Sequence, residues 1–242
     1  MRYALISDIH GNLEALRAVL AELSRQRIDE YLCIGDVVGY GADPSRCVDM
    51  VRSLKPKALI AGNHECGVTG FLGLDYFSEY AAAGIVWTKN ILSPPEIEYL
   101  KSFKLVYEGD DFVLVHSGLA EPEKFPYIVD SDDASRTMKL AKKPLTFIGH
   151  THAAEIYYSD KEKARQTIEP RILIESGKLY VVNVGSVGQP RDMDPRASFA
   201  IYDSDKRTVE IRRVVYDIEK AKAKILKAGL PEMLALRLSE GR

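Results

Sequence analysis

The sequence has few cysteines, no excess of basic residues and no long apolar run. Only Cys33, Cys47 and Cys66 occur among 242 residues, and their spacings match neither a disulfide framework nor a zinc ribbon. We therefore expect reduced thiols. A formal net charge of −2 disfavours a protein that mainly coats nucleic acid or an acidic membrane, because such proteins carry a basic excess.

Two further features are missing. No apolar run reaches the roughly 18 residues of a membrane span, and the N-terminus lacks a signal-peptide pattern, so we expect a cytoplasmic protein. The glycine-rich stretch 67–74 lacks the G-K-[ST] of a Walker phosphate loop. The composition, 46% hydrophobic and 28% charged, is that of an ordinary globular protein, and its length predicts a single domain over residues 1–242.

The first quarter of the chain alternates strands with helices. Apolar runs predict strands at 3–7, 30–34 and 58–61, with helices at 12–24 and 44–54. This alternation indicates right-handed crossovers and a parallel sheet.

The rest of the chain is predicted to be helical around 75–101 and then mostly β. The predicted strands are 112–116, 146–149, 171–175, 179–183, 199–202 and 209–215. The polar stretch 159–166 reads as a solvated hairpin tip or loop. Two peripheral helices over 217–238 end the chain, the first with Asp217 as N-cap and Gly229 at its C-terminal end; a homodimer contact is the alternative role for these helices.

All five histidines lie in short stretches with other metal-binding donors. These stretches are D8-I-H10, G62-N-H-E65, V115-H-S-G118 and G149-H-T-H152, and Asp36 adds a carboxylate in I-G-D-V-V-G. Asp8, Asp36 and Asn63 each follow a predicted strand, so they should meet at one sheet edge. In extended segments residues i and i+2 face the same way, so D-x-H and H-x-H can each direct two donors to one centre.

The order of these blocks resembles that of the calcineurin-like metallophosphoesterases: D-x-H, G-D, G-N-H-D/E, H and G-H-x-H. The later stretch N183-V-G-S-V-G-Q-P-R-D192 is similar to a branch of small prokaryotic phosphodiesterase-like or diadenosine-tetraphosphatase-like members. The resemblance implies an α/β fold, a two-sheet αββα sandwich, and a centre with two divalent metal ions.

The resemblance also implies a role for each donor. One metal would take Asp8, His10, His152 and the bridging Asp36; the other would take Asp36, Asn63, His116 and His150. With Asp36 as the bridging ligand, a hydroxide held between the two metals would be the nucleophile. His64 would contact the phosphate or protonate the leaving group.

The donors are oxygen and nitrogen atoms, which accommodate manganese, iron, zinc, nickel or cobalt. Manganese is the expectation from the resemblance. Cys66 is close to His64, but the ligand set is complete without it. Glu65 is expected to orient His64, with a place at the surface as the alternative.

The sequence indicates the substrate contacts less specifically than it indicates the metal donors. Asn12 and Arg191 are candidate phosphate anchors, with Arg196 a weaker one. Tyr40, Phe71, Tyr76, Phe77 and Trp87 could stack on a nucleobase, although core packing is the more common role of such residues.

These features together predict hydrolysis of phosphodiester or phosphoanhydride bonds in a small nucleotide-type substrate. No arginine follows the G-D motif closely, which disfavours a phosphoprotein phosphatase. The alternatives are a phosphomonoesterase and a non-catalytic protein-binding scaffold of the same fold. A long nucleic acid is disfavoured because no basic stripe is evident.

Overall fold

The computed structural model describes residues 1–161 and 163–242. Over these residues it contains two six-stranded sheets and eight α-helices. The first sheet consists, in spatial order, of β3 (Ala58–Leu59), β2 (Glu30–Cys33), β1 (Arg2–Ile6), β11 (Ala197–Asp203), β12 (Thr208–Val214) and β9 (Arg171–Leu173). The second consists of β4 (Val106–Glu108), β5 (Phe112–Val115), β6 (Leu145–Ile148), β10 (Tyr180–Val184), β7 (Ala154–Asp160) and β8 (Lys163–Thr167).

Helices pack on the outer face of each sheet. They are α1 (Leu13–Leu23), α2 (Pro44–Ser53), α3 (Asn63–Thr69), α4 (Glu79–Ile91), α5 (Pro94–Lys101), α6 (Ser131–Leu140), α7 (Ile218–Lys227) and α8 (Glu232–Glu240). The predicted αββα sandwich is confirmed.

Alternation of side chains along β1 divides the core into layers. Tyr3 and Leu5 pack between the sheets, in the same cluster as Phe112 of β5. Ala4 and Ile6 point the other way and join the cluster that includes α1 and α2. Because successive strand residues face opposite sides, one short strand contributes to both layers.

The sequence suggested that the second half of the chain forms one β layer. In the structure its strands are divided between the two sheets. β11 pairs antiparallel with β1, and β12 and β9 extend that first sheet. The strands β4, β7 and β8 and the helices α3 and α6 were not predicted. Apolar alternation identifies a strand but not its partner, which explains why the division between the sheets was missed.

The parallel strands determine where the polar loops meet. β1, β2 and β3 are mutually parallel in the first sheet, and β5, β6 and β10 are parallel in the second. The loops at their carboxyl ends therefore emerge at the same edge of the sandwich.

The C-terminal helices pack beside these loops. Asp217 caps α7 as predicted, with its carboxylate accepting from the Lys220 N–H, and Gly229 has a positive φ just beyond the helix. Residues of α7 and α8, among them Ile225 and Leu234, are buried in one cluster with Tyr40. The sequence predicted two peripheral helices and did not predict their contact with Tyr40.

The predicted polar tip at 159–166 is part of a β-hairpin, with Asp160 of β7 opposite Lys163 of β8; residue 162 lies outside the described residues. Among those described, no helix is both long enough and apolar enough to cross a membrane.

Candidate metal centre

Donors from both sheets converge at the edge where the parallel strands end. Asp8 and His10 follow β1, Asp36 follows β2, and Asn63 begins α3 just beyond β3. His116 comes directly after β5, and both His150 and His152 follow β6. All of these side chains are buried.

The backbone at five of these seven donors is left-handed. Asp8, His10, Asp36, His150 and His152 have φ angles of 53°, 49°, 51°, 68° and 63°. The premise that D-x-H and H-x-H lie in extended segments is therefore wrong. Residues other than glycine rarely adopt such angles. Where they do, the surrounding structure enforces the conformation, and such residues cluster at functional sites.

Two glycines allow the loops to approach the carboxylates. A Cβ atom on Gly62 would lie 2.1 Å from Asp36 Oδ1, and one on Gly149 would lie 2.3 Å from Asp8 Oδ2. Any larger residue would displace these carboxylates, which accounts for the glycine that precedes each N-H and H-x-H block.

Backbone carbonyls fix the orientation of three imidazoles. Nδ1 of His10, His116 and His152 lies 3.1, 2.7 and 2.6 Å from the carbonyl oxygens of Val38, Ile34 and Gln189, respectively. A carbonyl only accepts, so each Nδ1 donates a proton. In the neutral ring Nε2 then carries the lone pair, which is the arrangement of a metal ligand.

These Nε2 atoms point at one another and at the carboxylates. His10 Nε2 lies 3.0 Å from His152 Nε2 and 3.6 Å from Asp36 Oδ2. His152 Nε2 lies 3.3 Å from Asp8 Oδ1, and His116 Nε2 lies 3.3 Å from Asp36 Oδ2.

The donors form two groups that share Asp36. One group is Asp8, His10, Asp36 and His152, and the other is Asp36, His116 and His150; within each group, donor atoms lie within 4.8 Å of one another. The H-x-H pair thus divides between the groups. Asn63 Oδ1, His116 Nε2 and His150 Nε2 are buried and lack a hydrogen-bond partner among the described residues.

The charges of the centre perturb its titration. Burial works against the charged form, but the Asp36 and Asp8 carboxylates raise the pKa of His116 to about 10. Despite burial, His116 and His64 hold the pKa of Asp36 well below its usual range. Burial, reinforced by the charge of His116, lowers the pKa of His150 to about 3. The carboxylates thus already attract a positive charge to this position, as a cation site requires.

Glu65 holds the loops of the centre together, a role that the sequence did not reveal. Its carboxylate accepts N–H groups of Asp36 and Val37, both at 2.7 Å, of Gly62 at 2.9 Å and of Val38 at 3.3 Å. Burial and the nearby Asp36 raise its pKa to about 7, against the effect of these donors. Glu65 therefore orients the backbone around Asp36, and the predicted contact with the His64 ring is not observed.

His64 lies against the first group without belonging to either. Its backbone N–H donates to Asp36 Oδ1 at 2.9 Å, and its ring centroid lies 4.7 Å from that of His10 and 4.5 Å from that of Tyr40. Burial lowers its pKa to about 4. A lowered pKa favours the neutral ring, whereas a proton donor to the leaving group must carry its proton.

Residues 183–192 form hydrogen bonds with the loops that carry the metal donors. The Asn183 amide donates to Gly149 O at 2.8 Å, and the Ser186 hydroxyl donates to Asp8 O at 2.8 Å. Together with the Gln189 carbonyl on His152, these contacts fix the loops after β1 and β6. The sequence motif identified this stretch, but not the atoms that it holds.

The two predicted phosphate anchors differ in their surroundings. Asn12 caps α1 by accepting the Ala15 N–H, and its amide donates to Gly188 O at 2.8 Å; these contacts are structural, and its role with substrate stays a prediction. The Arg191 guanidinium lies 5.6 Å above the Tyr40 ring, beside the first donor group. Arg196 is paired with Asp194.

The aromatic residues near the centre are partly those predicted. Tyr40 and Phe77 contact the His64 ring, Phe71 and Tyr76 are exposed, and Trp87 packs near the C-terminal helices. Tyr127 was missed: it is 55% exposed, and its ring centroid lies 4.3 Å from that of His150.

None of the cysteines joins the donor groups found among the described residues. Cys33, Cys47 and Cys66 are all buried and free, and burial raises the pKa of the Cys66 thiol to about 12. A thiol of this kind is neither a nucleophile nor a ligand at neutral pH.

The chain is similar in sequence and fold to other proteins. Residues 1–207 match the family model of the calcineurin-like phosphoesterase superfamily domain. An uncharacterized protein of Methanocaldococcus jannaschii is 40% identical over 246 residues, 99% of this chain and 98% of that protein. The crystal structure of a metallophosphoesterase from Sphaerobacter thermophilus has a TM-score of 0.89 and 36% identity, covering 100% of both chains. A symmetrical bis(5'-nucleosyl)-tetraphosphatase of Buchnera aphidicola is 30% identical over 129 residues, 48% of this chain and 43% of its own length.

Proposed function

The chain belongs to the calcineurin-like phosphoesterase superfamily, whose members are metal-dependent hydrolases, and from this premise we propose a dinuclear enzyme that cleaves phosphodiester or phosphoanhydride bonds in small nucleotide-type substrates. One metal ion would be held by Asp8, His10, Asp36 and His152. The other would be held by Asp36, Asn63, His116 and His150. We further propose that manganese is the working metal and that the enzyme acts in the cytoplasm.

The observation that carries this proposal is the pair of facing imidazoles. His10 Nε2 and His152 Nε2 lie 3.0 Å apart, and the Nδ1 atom of each ring donates to a carbonyl. Two lone pairs at this distance repel one another unless a cation binds both or one ring gains a proton. Burial and the charges of neighbouring histidines or Arg191 lower the pKa of both rings, which disfavours the proton and favours the cation.

The chain's own residues account for the rest of the chemistry. Bound divalent cations would supply positive charge at the phosphoryl oxygens and lower the pKa of water toward about 7. Asp36 is shared by both donor groups, so its carboxylate fixes the separation of the two sites. Burial of these donors limits the access of bulk water and strengthens each electrostatic contact.

His64 is proposed as the proton donor to the leaving group. The hydrogen bond from its backbone N–H places His64 beside the shared carboxylate of Asp36, and its ring lies against that of His10. Burial favours the neutral ring, whereas the negative charge of a bound phosphate would favour the protonated one. We therefore propose that His64 takes up its proton when the substrate binds.

A nucleotide-type substrate is supported by two observations. The tetraphosphatase relative acts, by its name, on a dinucleoside tetraphosphate. The Tyr127 ring, 55% exposed, lies 4.3 Å from that of His150. The Tyr76 ring, 42% exposed, packs on Phe77, which contacts the His64 ring. Exposed aromatic rings of this kind are suitable for stacking with a base.

The test compares bis-p-nitrophenyl phosphate with p-nitrophenyl phosphate after metal removal and reconstitution with Mn²⁺. We expect metal-dependent turnover that favours the diester. His64→Ala should lower kcat by about 10²- to 10⁴-fold while metal content is unchanged, whereas His10→Ala should lose metal as well.

Two results would contradict the proposal. Faster turnover of the monoester would indicate a phosphomonoesterase. An inert protein that binds two metals and hydrolyses neither these esters nor dinucleoside oligophosphates would indicate a binding scaffold of the same fold.

A further inference from the structure

A cationic cavity adjoins the candidate metal centre on the side of the C-terminal helices. Its volume is about 380 Å³, and it is lined by Arg191, Met233, Leu236, Arg237, Glu240 and Arg242. Three arginines and one glutamate give this cavity a net positive charge. Apart from Arg191, every lining residue comes from α8 or from the two residues after it.

Arg191 connects the cavity to the centre. Its backbone N–H donates to His152 O at 3.2 Å, and its guanidinium lies above the Tyr40 ring. The Tyr40 ring in turn lies 4.5 Å from the ring of His10. The cavity therefore begins within electrostatic reach of the metal donors and extends away from them along α8.

The charges of Arg191 and Arg237 are not neutralised by the protein. Within residues 1–161 and 163–242, no carboxylate lies within 4.0 Å of either guanidinium, whereas Glu240 is paired with Arg242 at 3.6 Å. The Arg191 guanidinium donates to the neutral Gln189 Oε1, at 2.7 Å from Nη2. This bond orients the guanidinium and leaves its charge available to an anion.

The end of α8 is docked onto the loop that carries Arg191. Gly241 O accepts the Met193 N–H at 3.0 Å. A Cβ atom on Gly241 would lie 2.8 Å from Asp194 N, so the two backbones are in close contact. This contact holds Arg191 and Arg237 in a fixed relation across the cavity.

We propose that Arg191 and Arg237 form a second anion subsite, which binds the next phosphate of an oligophosphate chain whose reacting phosphate lies at the metal centre. Guanidinium groups bind phosphate oxygens through paired hydrogen bonds, and two of them on one cavity form a favourable site for a doubly charged group. The inference rests on the proposed function and narrows it to phosphoanhydrides. The chain could be that of a dinucleoside oligophosphate or an inorganic polyphosphate.

The test uses Arg237→Gln in the Mn²⁺-loaded protein. The substrates are diadenosine di-, tri- and tetraphosphate, with bis-p-nitrophenyl phosphate as a substrate that has a single phosphate. Loss of a charged hydrogen bond should raise KM for the di-, tri- and tetraphosphate by about tenfold or more relative to the effect on the single-phosphate substrate. Arg27→Gln is the matched control, because the Arg27 side chain is 87% exposed and distant in the sequence from the cavity.

A second readout does not depend on turnover. Inorganic tripolyphosphate should raise Tm more than orthophosphate does, in the wild type and in Arg27→Gln. This excess should disappear in Arg237→Gln. A response to tripolyphosphate without a KM effect on the dinucleotides would identify the inorganic chain as the occupant.

The subsite would be disproved if Arg237→Gln retained both the excess Tm shift and the wild-type KM values. Failure of the proposed function would look different: no ester or anhydride would be hydrolysed by any variant, while the Tm shifts would still report on the subsite.

Discussion

At the residue scale, the centre is determined by hydrogen bonds to backbone atoms. Carbonyl oxygens select the tautomer of His10, His116 and His152, and backbone N–H groups of two separate loops converge on Glu65. The sequence identified the metal donors because they occur in short motifs. It did not identify the role of Glu65, because the loop that Glu65 binds begins 29 residues earlier in the chain.

Glu65→Gln should destabilise the protein without removing any candidate ligand. The amide has one acceptor oxygen in place of two and presents an N–H₂ group to backbone donors, so buried N–H groups lose their partner. We expect the free energy of unfolding to fall by about 2–4 kcal/mol, measured by urea denaturation of the metal-stripped protein.

The control for this variant is Glu98→Gln on α5, whose side chain is 69% exposed. It should change stability by less than about 0.5 kcal/mol. Equal stabilities of the two variants would refute the role assigned to Glu65.

At the element scale, α7 is attached to the centre by a partly buried ion cluster. Lys224 of α7 lies 2.8 Å from Glu14 Oε1 of α1 and also contacts Asp43, which precedes α2. The Glu14 side chain is only 6% exposed. Gly41 and Asp43 belong to the loop that is hydrogen-bonded to the backbone of His10 and Gly11, so this cluster supports the first donor group.

Lys224→Met should leave Glu14 buried without its main counter-charge. Removing one partner of a buried pair costs about 3–5 kcal/mol; since Lys224 is 28% exposed, we expect a loss of about 2–3 kcal/mol in the free energy of unfolding. Thermal or chemical denaturation would measure it.

Lys220→Met is the matched variant on the same helix. Lys220 is 56% exposed and lies 3.6 Å from Glu14, so its removal should cost less than about 1 kcal/mol. A loss as large as that of Lys224→Met would contradict the main role assigned to Lys224, since lysine and methionine have similar helix propensities.

The sequence predicts the strands of the first quarter of the chain but not how distant strands pair. The ends of β1, β2 and β3 were predictable because a run of apolar residues ends in a polar motif. The pairing of β1 with β11 was not, because it joins residues nearly 200 positions apart. The left-handed backbone at Asp8 and His150 was not predicted either. Glycine is the usual sequence signal for such a conformation, and neither residue is a glycine.

At the scale of the whole molecule, residues 1–242 are proposed to form one domain. The interleaving of the two halves supports this proposal, because β11 and β12 complete the sheet that β1 begins. We expect a single calorimetric transition, at a higher Tm with Mn²⁺ than after metal removal. Two separate transitions in the metal-loaded protein would contradict the single domain.

The most direct test of the central claim is an anomalous difference map from crystals of the Mn²⁺-reconstituted protein. We predict two peaks, one among Asp8, His10 and His152 and the other among Asn63, His116 and His150, with Asp36 in contact with both. A single peak, or peaks away from these donors, would contradict it.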